Sequence, residues 1–154
     1  MFIRQASNAD SPAIKDLVFT ILRSYGLRPD SNTTDADIED IDRHYFQARG
    51  WFAVLECDDA IVGSYGLFAV DDLTCELRKM YLNPRHRGKG HGKRLLEHAL
   101  IKASELGYNT IVLETASVLK EAIALYNKYG FQPHESSHLS DRCDQAYIKK
   151  LEKF

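Results

Sequence analysis

Glycine and basic residues alternate between Arg85 and Arg94, directly before an apolar pattern with helical spacing. The first turn of a helix carries backbone N–H groups without intrahelical partners, and the helix dipole adds positive potential there. Glycine lets such groups approach a ligand closely because no Cβ intervenes. The stretch therefore predicts a site for a phosphate or pyrophosphate, reinforced by flanking cations. The glycines are Gly88, Gly90 and Gly92, and the basic residues are Arg85, Arg87, Lys89, Lys93 and Arg94.

The glycine spacing distinguishes this loop from two common phosphate-binding motifs. The dinucleotide fingerprint GxGxxG requires glycine at position 93, where the chain has lysine. The P-loop GxxxxGK[ST] requires glycine at position 87 and serine or threonine at position 94, and both positions hold arginine. What remains is R-x-x-G-x-G, from Arg87 to Gly92, between a predicted strand and a predicted helix.

Two longer segments contain and follow this loop: "ELRKMYLNPRHRGKGHGKRLLEHAL" at 76–100 and "LETASVLKEAIALYNKYGF" at 113–131. Both resemble the GCN5-related N-acetyltransferase (GNAT) family, in which [QR]-x-x-G-x-[GA] binds the pyrophosphate of acetyl-coenzyme A (acetyl-CoA) through backbone amides. The resemblance implies an acyltransferase enzyme. It would move the acetyl group of acetyl-CoA to a primary amine of a small molecule or peptide, by direct attack in a ternary complex.

The resemblance also implies which residues bind coenzyme A. Exposed backbone where two parallel strands splay apart would hold the pantetheine arm and the oxyanion. The glycine loop would hold the pyrophosphate, and a tyrosine would lie near the sulfur. These residues are Met80, Tyr81, Leu82, Arg87, Gly88, Lys89, Gly90, His91, Gly92, Lys93 and Tyr126. Many relatives carry asparagine where this chain has Leu119, so a side-chain contact to the pantetheine arm is missing from the pattern.

Tyr126 is the predicted general acid, because it aligns with the family tyrosine near the coenzyme A sulfur. The same residue also continues an apolar helical stripe with Leu119, Ala122 and Ile123, which is typical of a core position. The two interpretations are compatible, since the acid must sit at the edge between helix and sheet.

Glu76 is the predicted general base, because some relatives place a glutamate near this point of the central strand. An alternative is an ion pair with Arg78, two residues along and on the same strand face. Such a pair stabilises the ionised carboxylate and weakens it as a base. A water chain is a third possibility for the base.

The resemblance implies that the first two helices and the loop between them line the acceptor side. An acidic block there, from Asp30 to Asp42, favours a cationic amine, and aromatic side chains can stack on it. An aminoglycoside, a polyamine or a peptide amine would each fit. The alternative is that the acids form the exposed face of a helix. The candidate acceptor residues are Tyr25, Asp35, Asp37 and Tyr45.

The elements that must position these residues follow from periodicity and turn signals. The pattern predicts one mixed α/β domain over residues 1–154. A central mixed sheet of about six to seven strands is flanked by four helices, around a β-α-β unit that the family resemblance implies binds coenzyme A. Strands are predicted at 2–6, 51–57, 60–70, 75–82, 110–115, 131–134 and 145–152. Helices are predicted at 9–26 (capped by Ser11, with Pro12 at its first position), at 35–50, from the glycine loop through Leu106, and at 118–130.

Composition excludes several other classes of protein. The 154 residues carry a formal net charge of -2, which favours no general attraction to nucleic acid. No stretch is apolar enough for a membrane span and the first ten residues lack a signal-peptide core, so a cytoplasmic protein is expected. Three scattered cysteines and six histidines without ligand spacing predict no metal site.

Two alternative functions remain beside the enzyme. A non-catalytic domain could bind acyl-CoA and regulate a partner, and Tyr126 with Glu76 favours catalysis over it. A nucleic-acid-binding module could use the basic block, but the block lacks interleaved aromatic residues. A homodimer is possible.

Overall fold

A seven-stranded mixed sheet forms the centre of the protein. The structure is a computed structural model and describes residues 1–136 and 139–152. The mixed α/β class, the strand number and the four helices agree with the sequence prediction. The strands are β1 (Phe2–Gln5), β2 (Trp51–Cys57), β3 (Ala60–Ala69), β4 (Thr74–Leu82), β5 (Thr110–Thr115), β6 (Gln132–Pro133) and β7 (Gln145–Lys150). The helices are α1 (Ser11–Ser24), α2 (Ile41–His44), α3 (His91–Glu105) and α4 (Lys120–Lys128).

The sheet order is β1-β2-β3-β4-β5-β7-β6, and only β4 and β5 are parallel. The chain connects these two strands through the glycine loop and α3, which makes the predicted β-α-β unit. Parallel pairing joins residues 74–76 to residues 110–112 and goes no further. Beyond Glu76 the two strands diverge, and this divergence positions the site.

Separate apolar clusters cover the two faces of the sheet. On one face, α3 and α4 pack Leu95, Ala99 and Tyr126 against β4 and β5. On the other face, α1 and α2 pack Ile14 and Ile41 against β2, among other residues. None of the helices within residues 1–136 and 139–152 combines the length and apolarity that a membrane span requires.

The first helix starts differently from the prediction. Asp10, and not Ser11, is the N-cap, and Ser11 is the first helical residue, with Pro12 behind it. Arg4 of β1 holds Asp10 through two hydrogen bonds of 2.9 Å. This ion pair between the strand and the turn before α1 cannot be inferred from a local capping pattern.

The predicted acidic helix at 35–50 is wrong in extent. The chain forms a 3₁₀ turn (Ala36–Asp40), the four-residue α2 and a second 3₁₀ turn (Phe46–Ala48). Asp35 and Asp37 are buried instead of lining an exposed face. Their ion pairs with distant residues, given below, hold the segment in a shape that a regular helix would not allow.

Candidate active site

A cavity of about 620 Å³ opens where β4 and β5 diverge. Alternate residues of a strand point to opposite faces, so the gap connects the α3/α4 face of the sheet to its α1/α2 face. On the α3/α4 side the walls are the glycine loop, Leu125 and Tyr126. On the α1/α2 side they include Leu27, Glu76 and Glu114. The cavity therefore passes through the sheet and can bring together two ligands bound on opposite faces.

A β-bulge in β4 shapes the middle of this cavity. Arg78 pairs with Gly66 and Tyr81 pairs with Ser64, so β4 has one residue more than β3 between these pairs. Lys79 takes a left-handed φ of 54°, and its carbonyl accepts a 2.7 Å hydrogen bond from the Ser64 hydroxyl. After the bulge, Met80 and Leu82 pack toward the α3/α4 face, while Tyr81 packs toward the α1/α2 face. All three predicted pantetheine residues, Met80, Tyr81 and Leu82, line the cavity.

The glycine loop presents open backbone to the cavity. Gly88 and Gly90 have φ values of 76° and 83°, a region that favours glycine. Gly90 is the N-cap of α3, and no side chain caps the helix there. The first N–H groups of α3 therefore keep free donors for an anion. Of the predicted loop residues, Arg87, Gly88, Gly90, Gly92 and Lys93 line the cavity, whereas Lys89 and His91 do not.

Arg87 connects the glycine loop to α1. Its Nε donates to the Leu82 carbonyl at 3.2 Å, and one terminal nitrogen donates to the Tyr25 hydroxyl at 2.9 Å. Tyr25 also lines the cavity, as predicted for an acceptor residue. Its hydroxyl, however, is used to hold a loop residue.

Tyr126 is both a core residue and a cavity residue. Its ring centroid lies 5.5 Å from that of Phe131 and 6.4 Å from that of Tyr147, and the residue is only 6% exposed. Burial, together with the neighbouring Tyr81 hydroxyl, raises the pKa of Tyr126 well above that of a free tyrosine. The phenol therefore stays protonated at neutral pH.

Two carboxylates share the cavity wall on the α1/α2 side. Glu76 accepts a short hydrogen bond from Arg78 Nε, which confirms the ion pair considered from the sequence. Glu114, on β5, accepts the backbone N–H of Ser140 at 2.9 Å. Burial raises the pKa of Glu114, and the negative charge of Glu76 adds to this, although the Ser140 bond opposes it. Glu114 is therefore the carboxylate that holds a proton more tightly than an ordinary glutamate.

The remaining acceptor candidates do not reach the cavity. Asp35 receives two hydrogen bonds from Arg142, at 2.7 and 2.8 Å. Lys79 Nζ lies 3.3 Å from Asp35 and 3.2 Å from Asp37, and the Tyr45 hydroxyl donates to Asp37. Tyr45 is fully buried against Phe52. Both sequence interpretations of Asp35 and Asp37 therefore need correction, because these carboxylates form a buried charge network and neither line the cavity nor face solvent.

Leu119 supplies an apolar wall at the start of α4, where many relatives have asparagine. Leu119 occupies the N-cap position of α4, and its side chain makes no hydrogen bond to the start of the helix. It lines the cavity together with Ala122 of the next turn.

Comparison with known proteins resolves the family. A profile of the Acetyltransferase (GNAT) family matches residues 16–131, which is most of the chain. The chain belongs to the GNAT family. It is 36% identical over 135 residues to an uncharacterized N-acetyltransferase, YjgM, of Escherichia coli strain K12, covering 84% of this chain and 81% of that one.

Solved structures of other GNAT proteins share the fold. An acetyltransferase of the GNAT family from Staphylococcus aureus Mu50 superimposes with a TM-score of 0.90 at 22% identity, covering 98% of this chain and 99% of the other. A phosphinothricin acetyltransferase from Sinorhizobium meliloti, solved in complex with acetyl-CoA, superimposes with a TM-score of 0.75 at 19% identity. That match covers 97% of this chain and 88% of the other.

The chain is thus a GNAT acetyltransferase, and its cavity suits the acetyl-CoA that enzymes of this family generally use. The backbone amides at the start of α3 are the groups that could hold a pyrophosphate, and the gap between β4 and β5 is the place that could hold an extended arm. Within residues 1–136 and 139–152, no group of three or more histidine, cysteine or acidic residues could hold a metal ion.

Sequence reasoning missed the loop before β7 and one strand residue. Leu139, Ser140, Arg142 and Cys143 line the cavity although their segment carries no motif. Glu114 lies at the fifth position of the predicted strand "TIVLET", where alternation places it opposite the apolar core. A single acid near the end of a mostly apolar strand, predicted to pair in parallel with the strand before the glycine loop, was the signal that could have pointed to it.

Gly90→Val tests the glycine loop as the anion site. A Cβ at Gly90 meets no atom within 4 Å, so the substitution costs mainly backbone strain, about 1–2 kcal/mol for a left-handed φ. We expect coenzyme A affinity to fall by about tenfold or more, the effect of losing one charge-assisted hydrogen bond. Isothermal titration calorimetry with coenzyme A measures this loss.

Gly107→Val is the matched control. Gly107 ends α3 with a φ of 95°, and a Cβ there also meets no atom within 4 Å. Both variants should lose similar stability, and only Gly90→Val should lose affinity for coenzyme A. Equal affinities in the two variants would show that the loop does not hold the pyrophosphate.

Proposed function

We propose that the protein transfers the acetyl group of acetyl-CoA to a primary amine by direct attack in a ternary complex. The cavity that crosses the sheet carries this proposal. Free amides line it on one face and two carboxylates line it on the other. The gap between β4 and β5 is where a thioester held from one face would meet an amine held from the other.

Glu114 is the group best suited to take the proton of the amine. A general base works best when its pKa approaches the working pH, and burial beside Glu76 moves the pKa of Glu114 in that direction. Glu76 is less suited because its carboxylate is already bound to Arg78. In this scheme Glu76 lies beside the reacting groups but is not the base, and its negative charge raises the pKa of Glu114.

Backbone and Tyr126 complete the reaction on the other side of the gap. The edge of β4 after Glu76 has no β5 partner, so its backbone donors near Met80 can stabilise the oxyanion. The amine nitrogen adds to the thioester carbonyl to form the oxyanion, and the C–S bond breaks when this tetrahedral intermediate collapses to the amide. The amine proton goes to Glu114, and the leaving thiolate receives the proton of the Tyr126 hydroxyl.

The test is an acceptor screen with acetyl-CoA and mass detection of the acetylated product. Amines of several classes, including amino acids, polyamines, aminoglycosides and peptides, form the panel. An acetylated amine together with release of free coenzyme A supports the proposal. Tight coenzyme A binding without turnover of any amine would instead favour the acyl-CoA-binding regulatory domain.

Tyr126→Phe tests the general acid. The ring and its packing against Phe131 remain, and only the hydroxyl is lost. We expect kcat to fall by about 10²-fold, the scale of general acid catalysis, with little change in melting temperature. A variant with normal kcat and a lowered melting temperature would restrict Tyr126 to a packing role.

A further inference from the structure

Lys79, Arg142 and Arg78 line the α1/α2 side of the cavity, and a buried carboxylate already neutralises the first two. Lys79 and Arg142 line the cavity, but both are bound by the buried carboxylate of Asp35. Lys79 also lies beside Asp37 and donates to the Thr34 carbonyl at 3.2 Å. These two cations hold the wall together, and their charge is not available to a ligand.

Arg78 is the third cation, and its terminal nitrogens remain open. Its Nε donates to Glu76, and its guanidinium carbon lies 3.8 Å from the ring centroid of Phe68. Within residues 1–136 and 139–152, no partner hydrogen-bonds to the two terminal nitrogens. The side chain lines the cavity and is 32% exposed. Ion pairing along one edge and stacking on one face fix the guanidinium, so the two terminal donors are held rigidly on a side chain that lines the cavity.

Arg78 also lies close to the two carboxylates. It contacts Glu76 directly, and its charge acts on Glu114, where it works against the rise of the pKa. An amine bound beside these two carboxylates therefore also lies beside the Arg78 guanidinium, which is bound to Glu76. The surrounding wall includes Leu27 and Leu139, which accept an apolar substituent.

We propose that the acceptor is an amine with a carboxylate close to it, as in an α- or β-amino acid, and that Arg78 binds the carboxylate. This inference rests on the proposed acetyl transfer and narrows it to one class of acceptor. An arginine fork matches the geometry of a carboxylate and binds it through two parallel hydrogen bonds. The carboxylates hold the amine end and Arg78 holds the acid end, which distinguishes such an acceptor from a simple polyamine.

The test compares amino acids with the same amines after removal of the carboxylate. L-phenylalanine is paired with 2-phenylethylamine, and L-ornithine with putrescine. We expect kcat/KM to be at least about tenfold higher for the amino acid of the preferred pair, the scale of a charge-assisted bidentate contact. Arg78→Gln should bring the ratio within that pair close to one. Arg78→Lys, which keeps the charge but loses the fork, should give an intermediate ratio.

Arg43→Gln is the matched control for loss of positive charge. Arg43 is exposed on α2 and does not line the cavity, so its substitution should leave the ratio unchanged. A wild-type ratio near one in both pairs, or a ratio that Arg78→Gln does not alter, would overturn the role of Arg78.

Calorimetric titration of the coenzyme A complex with the same probes separates this inference from the proposed activity. If neither member of a pair is acetylated but the amino acid still binds more tightly, and Arg78→Gln abolishes that preference, acetyl transfer fails and the carboxylate site stands. If amines are acetylated without any preference for the carboxylate, acetyl transfer stands and the carboxylate site fails. Absence of both binding and acetylation would count against both.

Discussion

Replacing Glu114 with glutamine is expected to lower kcat by about 10²-fold to 10⁴-fold, the range of general base catalysis. Glutamine keeps the shape of the side chain and can still accept the Ser140 N–H, but it cannot take a proton. Burial and Glu76 raise the pKa of Glu114. The acidic limb of the wild-type pH–rate profile, where the rate rises as the base loses its proton, should therefore lie at higher pH than an ordinary glutamate would give. The variant should lose this acidic limb, and the titration of the amine itself should remain.

Glu76→Gln distinguishes the two carboxylates. It removes the negative neighbour of Glu114, so the pKa of Glu114 should fall and the acidic limb of the pH profile should move to lower pH. If Glu76 were the base, the limb would vanish in this variant and survive in Glu114→Gln. Glu121→Gln, on α4 at the opposite side of the cavity, is the control that should leave the profile unchanged.

The local parts of the site are predictable from sequence because their chemistry is local. The glycine loop needs only a strand, three closely spaced glycines and a helix, all of them within residues 74–105. Glu76 and Arg78 meet because residues two apart share one face of a strand. Tyr126 could be assigned to the edge between core and cavity because the helical stripe and the family motif both include it.

The acceptor side is not predictable in this way because its contacts are distant in sequence. Asp35 is bound by Arg142, 107 residues later, so nothing near Asp35 shows that the carboxylate is buried. An acidic run beside tyrosines predicts an exposed helix or a cation site equally well. Only the tertiary structure shows that Lys79, in a bulge of β4, reaches both Asp35 and Asp37.

Asp35→Asn is expected to lower the free energy of unfolding by a large amount. The substitution removes the carboxylate that binds Arg142 and one of the two that bind Lys79, and both cationic side chains are almost buried. Removing one partner of a buried ion pair costs about 3–5 kcal/mol, a large share of the roughly 5–15 kcal/mol that stabilises a typical domain. Urea unfolding followed by circular dichroism should show a lower midpoint at an unchanged slope.

The stability that Asp35 contributes should decrease as the pH falls. Burial alone would raise the pKa of Asp35, but hydrogen bonds from Arg142 and from the Asp30 N–H, with the charge of Lys79, bring it below its ordinary value. Its stabilisation is therefore present above the ordinary aspartate pKa of about 3.9 and is lost as the pH falls below it. Asp35→Asn should remove this part of the acid sensitivity.

Glu39→Gln provides the comparison within the same acidic block. Glu39 pairs with Lys15 at 2.7 Å, but both side chains are exposed, and exposed pairs contribute little to folding. We expect this variant to unfold near the wild-type midpoint, while Asp35→Asn unfolds far below it. If Asp35→Asn kept the wild-type stability and only raised KM for the amine, Asp35 would be an acceptor ligand. The charge network would then have to open when the amine binds.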